Sequence, residues 1–175
     1  VIYSDVAITH KKMHANEPFR NLNIFRKMIS KGINLDARQQ FYYARELYYN
    51  GLYEDAIKEF SSFLCREDGG IENRINACQD LAYCYYKIKE DNLALKALLK
   101  SLELDQPRAE ICCDIGRHFF DRKNYKVAIF WYELAATRKL DESSGGFKMI
   151  DCYGYIPYLQ LCVCYDRIGD REKAI

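Results

Sequence analysis

Four stretches decide the fold: Gly51-Leu52-Tyr53-Glu54-Asp55-Ala56, Lys89-Glu90-Asp91-Asn92-Leu93-Ala94, Lys123-Asn124-Tyr125-Lys126-Val127-Ala128 and Gly169-Asp170-Arg171-Glu172-Lys173-Ala174. Each places an Ala shortly after a turn. Twelve residues before that Ala stands a small residue: Ala44, Ala82, Gly116 and Cys162. Three residues further on comes a large one: Leu47, Tyr85, Phe119 and Tyr165. Past the anchor, the first three stretches carry Phe60, Leu98 and Tyr132. Small residues such as Ala44 and Ala56 let two helices approach closely, and large ones plug the space beside them. Coincidence at four places predicts an internal repeat. The anchors lie 38, 34 and 46 residues apart, so one interval carries extra residues near Asp68-Gly69-Gly70 and another a longer insertion.

This small–large–small–large order resembles the tetratricopeptide repeat, a helix–turn–helix unit of about 34 residues. The resemblance covers roughly residues 36–175 and implies an all-α solenoid. Its array would occupy 34–175, with units at about 36–66, 73–105, 107–138 and a truncated 155–175. Helix-end signals agree. Asp36 and Gln39 form a capping box before a helix over Ala37–Asn50, and Gly51 closes it. Asp91 and Asn124 are candidate caps of second helices, and Pro107 suits a helix start. Residues 17–33 read as a linking or capping helix with Leu22, Phe25, Met28 and Ile29 on one side and Gly32 at its end. Thr137–Gly154, with Ser143-Ser144-Gly145-Gly146, reads as a loop.

Composition narrows the function. The 175 residues carry 26 Lys and Arg against 25 Asp and Glu, so there is no basic surplus for neutralising phosphates, and nucleic acid is not expected as a partner. No apolar run approaches the roughly 18–20 residues of a membrane span. Three Pro and nine Gly suit a helical chain. The eight Cys contain no Cys-x-x-Cys pair, and Cys78, Cys84, Cys112 and Cys162 fall on apolar stripes. They are expected to be reduced packing thiols in a cytoplasmic protein. There is no signal-peptide pattern and the first residue is Val1, so the chain reads as a piece of something longer.

Fifteen Tyr and nine Phe need places to go. In the repeat register the first helices line a concave face, which is expected to show Arg38, Phe41, Arg45, Tyr48 and Tyr49 from unit one. Unit two would add Asn76, Gln79, Tyr83, Tyr86 and Lys87. Unit three would add Glu110, Cys113, Arg117, Phe120 and Asp121. The ligand-groove assignment rests on twelve of these, with Arg117 and Phe120 taken from unit three. An aromatic groove with scattered cations has the make-up of a binding surface for a peptide or a glycan. Tyr43, Tyr85 and Tyr132 fall in core register and are expected to pack. Tyr48, Tyr83 and Tyr86 are read as groove residues, with helix packing as the alternative. The groove differs from the tetratricopeptide class that clamps a C-terminal carboxylate, because Asp80, Glu110 and Asp114 would repel one.

A second resemblance lies at the N-terminal end. Tyr3–Thr9 reads as a short strand remnant in an otherwise helical chain. Ile8-Thr9-His10, followed by Arg20-Asn21-Leu22, Ile24-Phe25 and Lys27, is similar to the junction in bacterial family 2 glycosyltransferases that carry C-terminal tetratricopeptide repeats. Tyr158–Asp170 is similar to the late repeats of those proteins. The resemblance implies that residues 1–16 are the tail of an upstream transferase domain, which would hold the nucleotide-sugar and divalent metal. This chain lacks the family's Asp-x-Asp motif, so no cofactor, catalytic residue or metal site is expected here. His10 has a metal or diphosphate reading in the parent protein and a plain strand reading in this chain, where Lys11 and Lys12 oppose a cation. No Gly-rich phosphate loop, His-Glu-x-x-His or Gly-x-Ser-x-Gly occurs. The resulting expectation is a non-catalytic scaffold binding a protein, peptide or glycan acceptor, part of a bacterial glycosyltransferase. The alternative is a free-standing adaptor that binds a peptide in its groove. An uncovered fourth repeat adds an expectation of weak self-association.

Overall fold

The computed structural model describes residues 18–141 and 147–174. Among the described residues, eight α-helices follow one another: α1 (Arg20–Ser30), α2 (Ala37–Tyr49), α3 (Tyr53–Leu64), α4 (Ile71–Lys87), α5 (Asp91–Lys100), α6 (Ala109–Asp121), α7 (Tyr125–Ala136) and α8 (Ile156–Arg167). Short 3₁₀ turns lie at Ser101–Glu103 and Ile150–Tyr153. Among the described residues there is no strand, and the strand remnant expected at Tyr3–Thr9, with His10, lies outside them.

Each unit is a helix pair: α2 packs on α3, α4 on α5 and α6 on α7, with α1 against α2 and α8 against α7. Ala44, Ala56, Ala82, Ala94 and Ala128 are fully buried at the close approaches, and Phe60, Leu98 and Tyr132 fill the space beside them. At Gly116 there is no room for a Cβ, which would meet the Tyr132 ring at 2.9 Å. Tyr132 packs as expected, and Tyr43 and Tyr85 pack, partly buried, against the core. Leu22 is buried and Phe25 meets Tyr43 at 5.6 Å between ring centres, so α1 covers the first unit.

The ends of the helices follow local chemistry. Asp36 Oδ1 accepts from the Gln39 amide at 2.7 Å, and the Gln39 side chain accepts from the Asp36 amide at 3.1 Å, completing the capping box. The other two cap assignments are corrected. Asp91 is the first residue inside α5, and its carboxylate takes Arg122 at 2.5 Å instead of a backbone amide. Asn124 stands at the cap position of α7 without a side-chain bond to the helix. Residues 150–153 of the expected loop wind into a 3₁₀ turn. In the fourth unit, residues 171–174 are turns, not the start of a helix. Cys162 is half-buried, and the fully buried thiol of α8 is Cys164.

The first residue of each deciding stretch shares one backbone state. Gly51 and Gly169 have φ of 76° and 81°, and Lys89 and Lys123 have 63° and 59°. The left-handed region is strained for a residue with a Cβ and free of cost for Gly. Lys89→Gly and Lys123→Gly should therefore each raise the unfolding free energy by about 0.5–1 kcal/mol. Urea titration of the two variants checks this; a lower midpoint in both would contradict the strain.

Candidate functional site

The first helices α2, α4 and α6 lie side by side, and one bonding rule repeats between them. Arg45 on α2 meets Asp80 on α4 at 3.0 Å. The residue one unit later in the same register, Tyr83, donates its hydroxyl to Asp114 on α6 at 2.6 Å. Gln79 Nε2 donates to the same carboxylate oxygen at 2.6 Å. One turn further along, Tyr86 Oη and His118 Nδ1 are joined by a 2.9 Å hydrogen bond. Polar side chains that reach the next repeat hold the groove floor in one geometry.

Burial sets the electrostatics of that floor. It pushes the Asp80 carboxyl up to about 6, against the pull of Arg45. The Asp114 carboxyl is likewise driven up to about 6 by burial, while Gln79 and Tyr83 oppose the rise by bonding its charged form. Burial, followed by the nearby Asp114 charge, raises the Tyr83 hydroxyl far above its ordinary range, so Tyr83 stays a donor. Burial also lowers His118, which favours the neutral imidazole.

Over this floor lies an open cleft of about 420 Å³. Tyr48, Tyr83 and Tyr86 form its aromatic wall, with Tyr48 and Tyr83 stacked at 6.5 Å and 30°. Lys87, Arg117 and Asp121 supply charge at the rim. Its remaining edge is Met149, from the segment after α7. A second cleft of similar volume lies between Asp105, Arg108, Arg138, Lys139 and Lys148, with Arg108 held by Glu72 at 2.8 Å.

The twelve expected groove residues divide into four groups. Tyr48, Tyr83, Tyr86, Lys87 and Arg117 line the cleft together. Arg45 and Tyr49 sit beside it, joined by a hydrogen bond from the guanidinium to the Tyr49 hydroxyl. Arg38 is exposed further out, its guanidinium 5.8 Å from the Tyr42 ring centre. The other four do not line the cleft. Phe41 is fully buried against Phe60 and Phe63. Asn76 is buried and bonds the Glu72 carbonyl, and Gln79 is buried under Tyr83. Phe120 turns its ring onto Tyr125 of α7. Gln79 is covered by Asp114 of the next repeat, and Phe41 and Phe120 turn onto the second helices of their own units, which is why the register overcounted the groove. Of the other concave-face residues, Glu110 and Cys113 are buried too. Met149 and Phe147 were missed, because nothing in a Ser- and Gly-containing loop signals a return to the groove.

Among the described residues, no group of three His, Cys, Asp or Glu is placed to hold a metal, and no helix is long and apolar enough to cross a membrane. All eight Cys are free thiols.

No family model matches the chain, and no curated protein matches it significantly. Solved structures do. MamA superposes with a TM-score of 0.67 at 18% identity, over 87% of this chain and 80% of that one. The C-terminal part of a TPR repeat-containing protein from Cytophaga hutchinsonii gives 0.67 at 17%, over 87% and 54%. PilF of Pseudomonas aeruginosa gives 0.63 at 21%, over 87% and 62%. The fold is a tetratricopeptide-type α-solenoid. At these identities the likeness concerns architecture, so the groove has to be interpreted from its own residues.

Proposed function

We propose that the chain is a non-catalytic interaction scaffold that binds an extended protein segment along its concave groove. The observation that carries this reading is the aromatic wall of Tyr48, Tyr83 and Tyr86 above a polar floor whose side chains are already bonded to one another. Pre-bonded tyrosines give stacking area at little entropy cost on binding. Peptides selected from a random library on the immobilised chain should lose about tenfold or more in affinity to Tyr48→Ala and Tyr86→Ala. Far-UV circular dichroism should stay helical in both variants. Unchanged affinity for every selected peptide would remove the groove assignment, and selection of oligosaccharides in place of peptides would make the occupant a glycan acceptor.

Two finer proposals accompany this one. Membership of a family 2 glycosyltransferase is supported by Ile8-Thr9-His10, by Arg20-Asn21-Leu22 with Ile24-Phe25 and Lys27, and by Tyr158–Asp170; reading the coding DNA upstream of Val1 for an Asp-x-Asp motif tests it. Weak self-association through α8 is supported by Tyr158 and Leu159, which stand 58% and 54% exposed on that helix. Sedimentation at several concentrations, repeated with Tyr158→Ser/Leu159→Ser, tests it.

A further inference from the structure

The stretch 147–153, after α7, crosses the first helices from unit one to unit three. Its C-terminal part is fixed on α6: Cys152 is 3% exposed in the same apolar cluster as Cys113, and Tyr153 lies against Glu110. Three residues earlier, Met149 Sδ sits 3.8 Å from the Tyr83 hydroxyl on α4. Two residues before that, the Phe147 ring faces Arg45 on α2, with the guanidinium carbon 3.9 Å from its centroid. A stretch from Phe147 to Tyr153 thus touches units one, two and three in turn. That is the path an extended ligand takes along a solenoid's inner face.

The chemistry of the two leading contacts is specific. Arg45 is oriented by Asp80 and Tyr49, so its flat face is presented to an aromatic ring. The Tyr83 region offers an aromatic edge and a hydroxyl, which suit a thioether or aliphatic chain. Phe147 and Met149 nevertheless remain 50% and 47% exposed. Contacts of this one-sided kind leave the segment displaceable.

We infer that Phe147–Met149 occupies the groove as an internal stand-in for its ligand, and that the ligand is an extended peptide with an aromatic residue two positions before a Met or aliphatic residue. This rests on the groove reading above and names the occupant it takes. Binding of a partner then requires the segment to leave, so the segment sets an affinity threshold.

The test uses the whole chain and a fluorescein-labelled five-residue peptide of the sequence Phe147–Asp151, with a control in which the Phe and Met positions are both Ala. A segment tethered by a short linker competes at an effective concentration in the millimolar range. The peptide should therefore bind Phe147→Ala/Met149→Ala about tenfold or more tighter than it binds the unaltered chain, and the control peptide should bind neither. Both altered residues are exposed, and the melting curve verifies that the variant is folded. Should it melt early, Phe147→Ser alone repeats the comparison. Equal affinity for the two proteins, or no binding to the vacated groove at millimolar peptide, overturns the inference. If library peptides still respond to Tyr48→Ala in that case, the groove reading survives and only the stand-in is lost.

Discussion

Replacing Phe41 with Ala should lower the unfolding free energy by about 3–5 kcal/mol, the usual cost of emptying an aromatic site in a packed interior. The ring is wholly buried, with Phe63 and Phe60 centred 5.5 and 6.4 Å away and the Arg45 guanidinium carbon 5.6 Å above it. Those neighbours come from the second helix of its own unit and from the next turn of α2. Removal therefore leaves a cavity between two helices that cannot close without shifting both. The repeat register placed Phe41 on the concave face, where truncation would cost binding and little stability. Urea unfolding separates the two positions: a loss under about 1 kcal/mol would return the ring to the surface. Phe41→Leu should recover most of the loss, because it restores apolar volume.

This case marks where the sequence is legible. Close helix approach needs small residues at fixed spacing, so Ala44, Ala56, Ala82, Ala94, Gly116 and Ala128 disclose the pairs in advance. The capping box at Asp36 and the left-handed turns at Gly51 and Gly169 are equally local, and the sequence states them. Lys89 and Lys123 share that turn geometry without the residue that advertises it. The groove is less legible, because exposure there depends on the next repeat. Gln79 became floor once Asp114 stood within reach, and Tyr83 became wall. The rule joining Arg45 to Asp80 and Tyr83 to Asp114 lies in the sequence as one register offset, but it emerges only when neighbouring units are superposed in space. The return of Phe147 and Met149 depends on Cys152 and Tyr153 being captured by α6, and no periodicity carries that information.

Replacing Arg45 with Met should cost about 2–3 kcal/mol near pH 7.5 and much less near pH 5, below the roughly 3–5 kcal/mol for breaking a fully buried pair. Both partners retain 12% side-chain exposure, so water softens the full penalty. The sign of the pH effect follows from Asp80. Its folded-state value already lies near 6, above the ordinary carboxyl value of 3.8, because burial disfavours the charge. The folded protein thus binds the proton more tightly than the unfolded chain. The associated stability is complete below the unfolded value and is lost as pH rises through the folded one. Without Arg45, the attraction that held Asp80 down disappears, the folded value moves higher, and more stability is lost on the alkaline side. Met keeps the apolar stem that covers Phe41, so the deficit reports charge and not a cavity. Adding Asp80→Asn to Arg45→Met removes the stranded carboxylate and should flatten the pH dependence while recovering most of the loss. Guanidinium chloride would screen the effect, so urea is the denaturant to use, at pH 5 and pH 7.5. An Arg45→Met penalty of equal size at both pH values would mean that Asp80 is not the group it leaves unpaired. The Arg45–Asp80 link between α2 and α4 would then be a contact of shape alone, and Phe147 would be resting on a guanidinium held only by Tyr49.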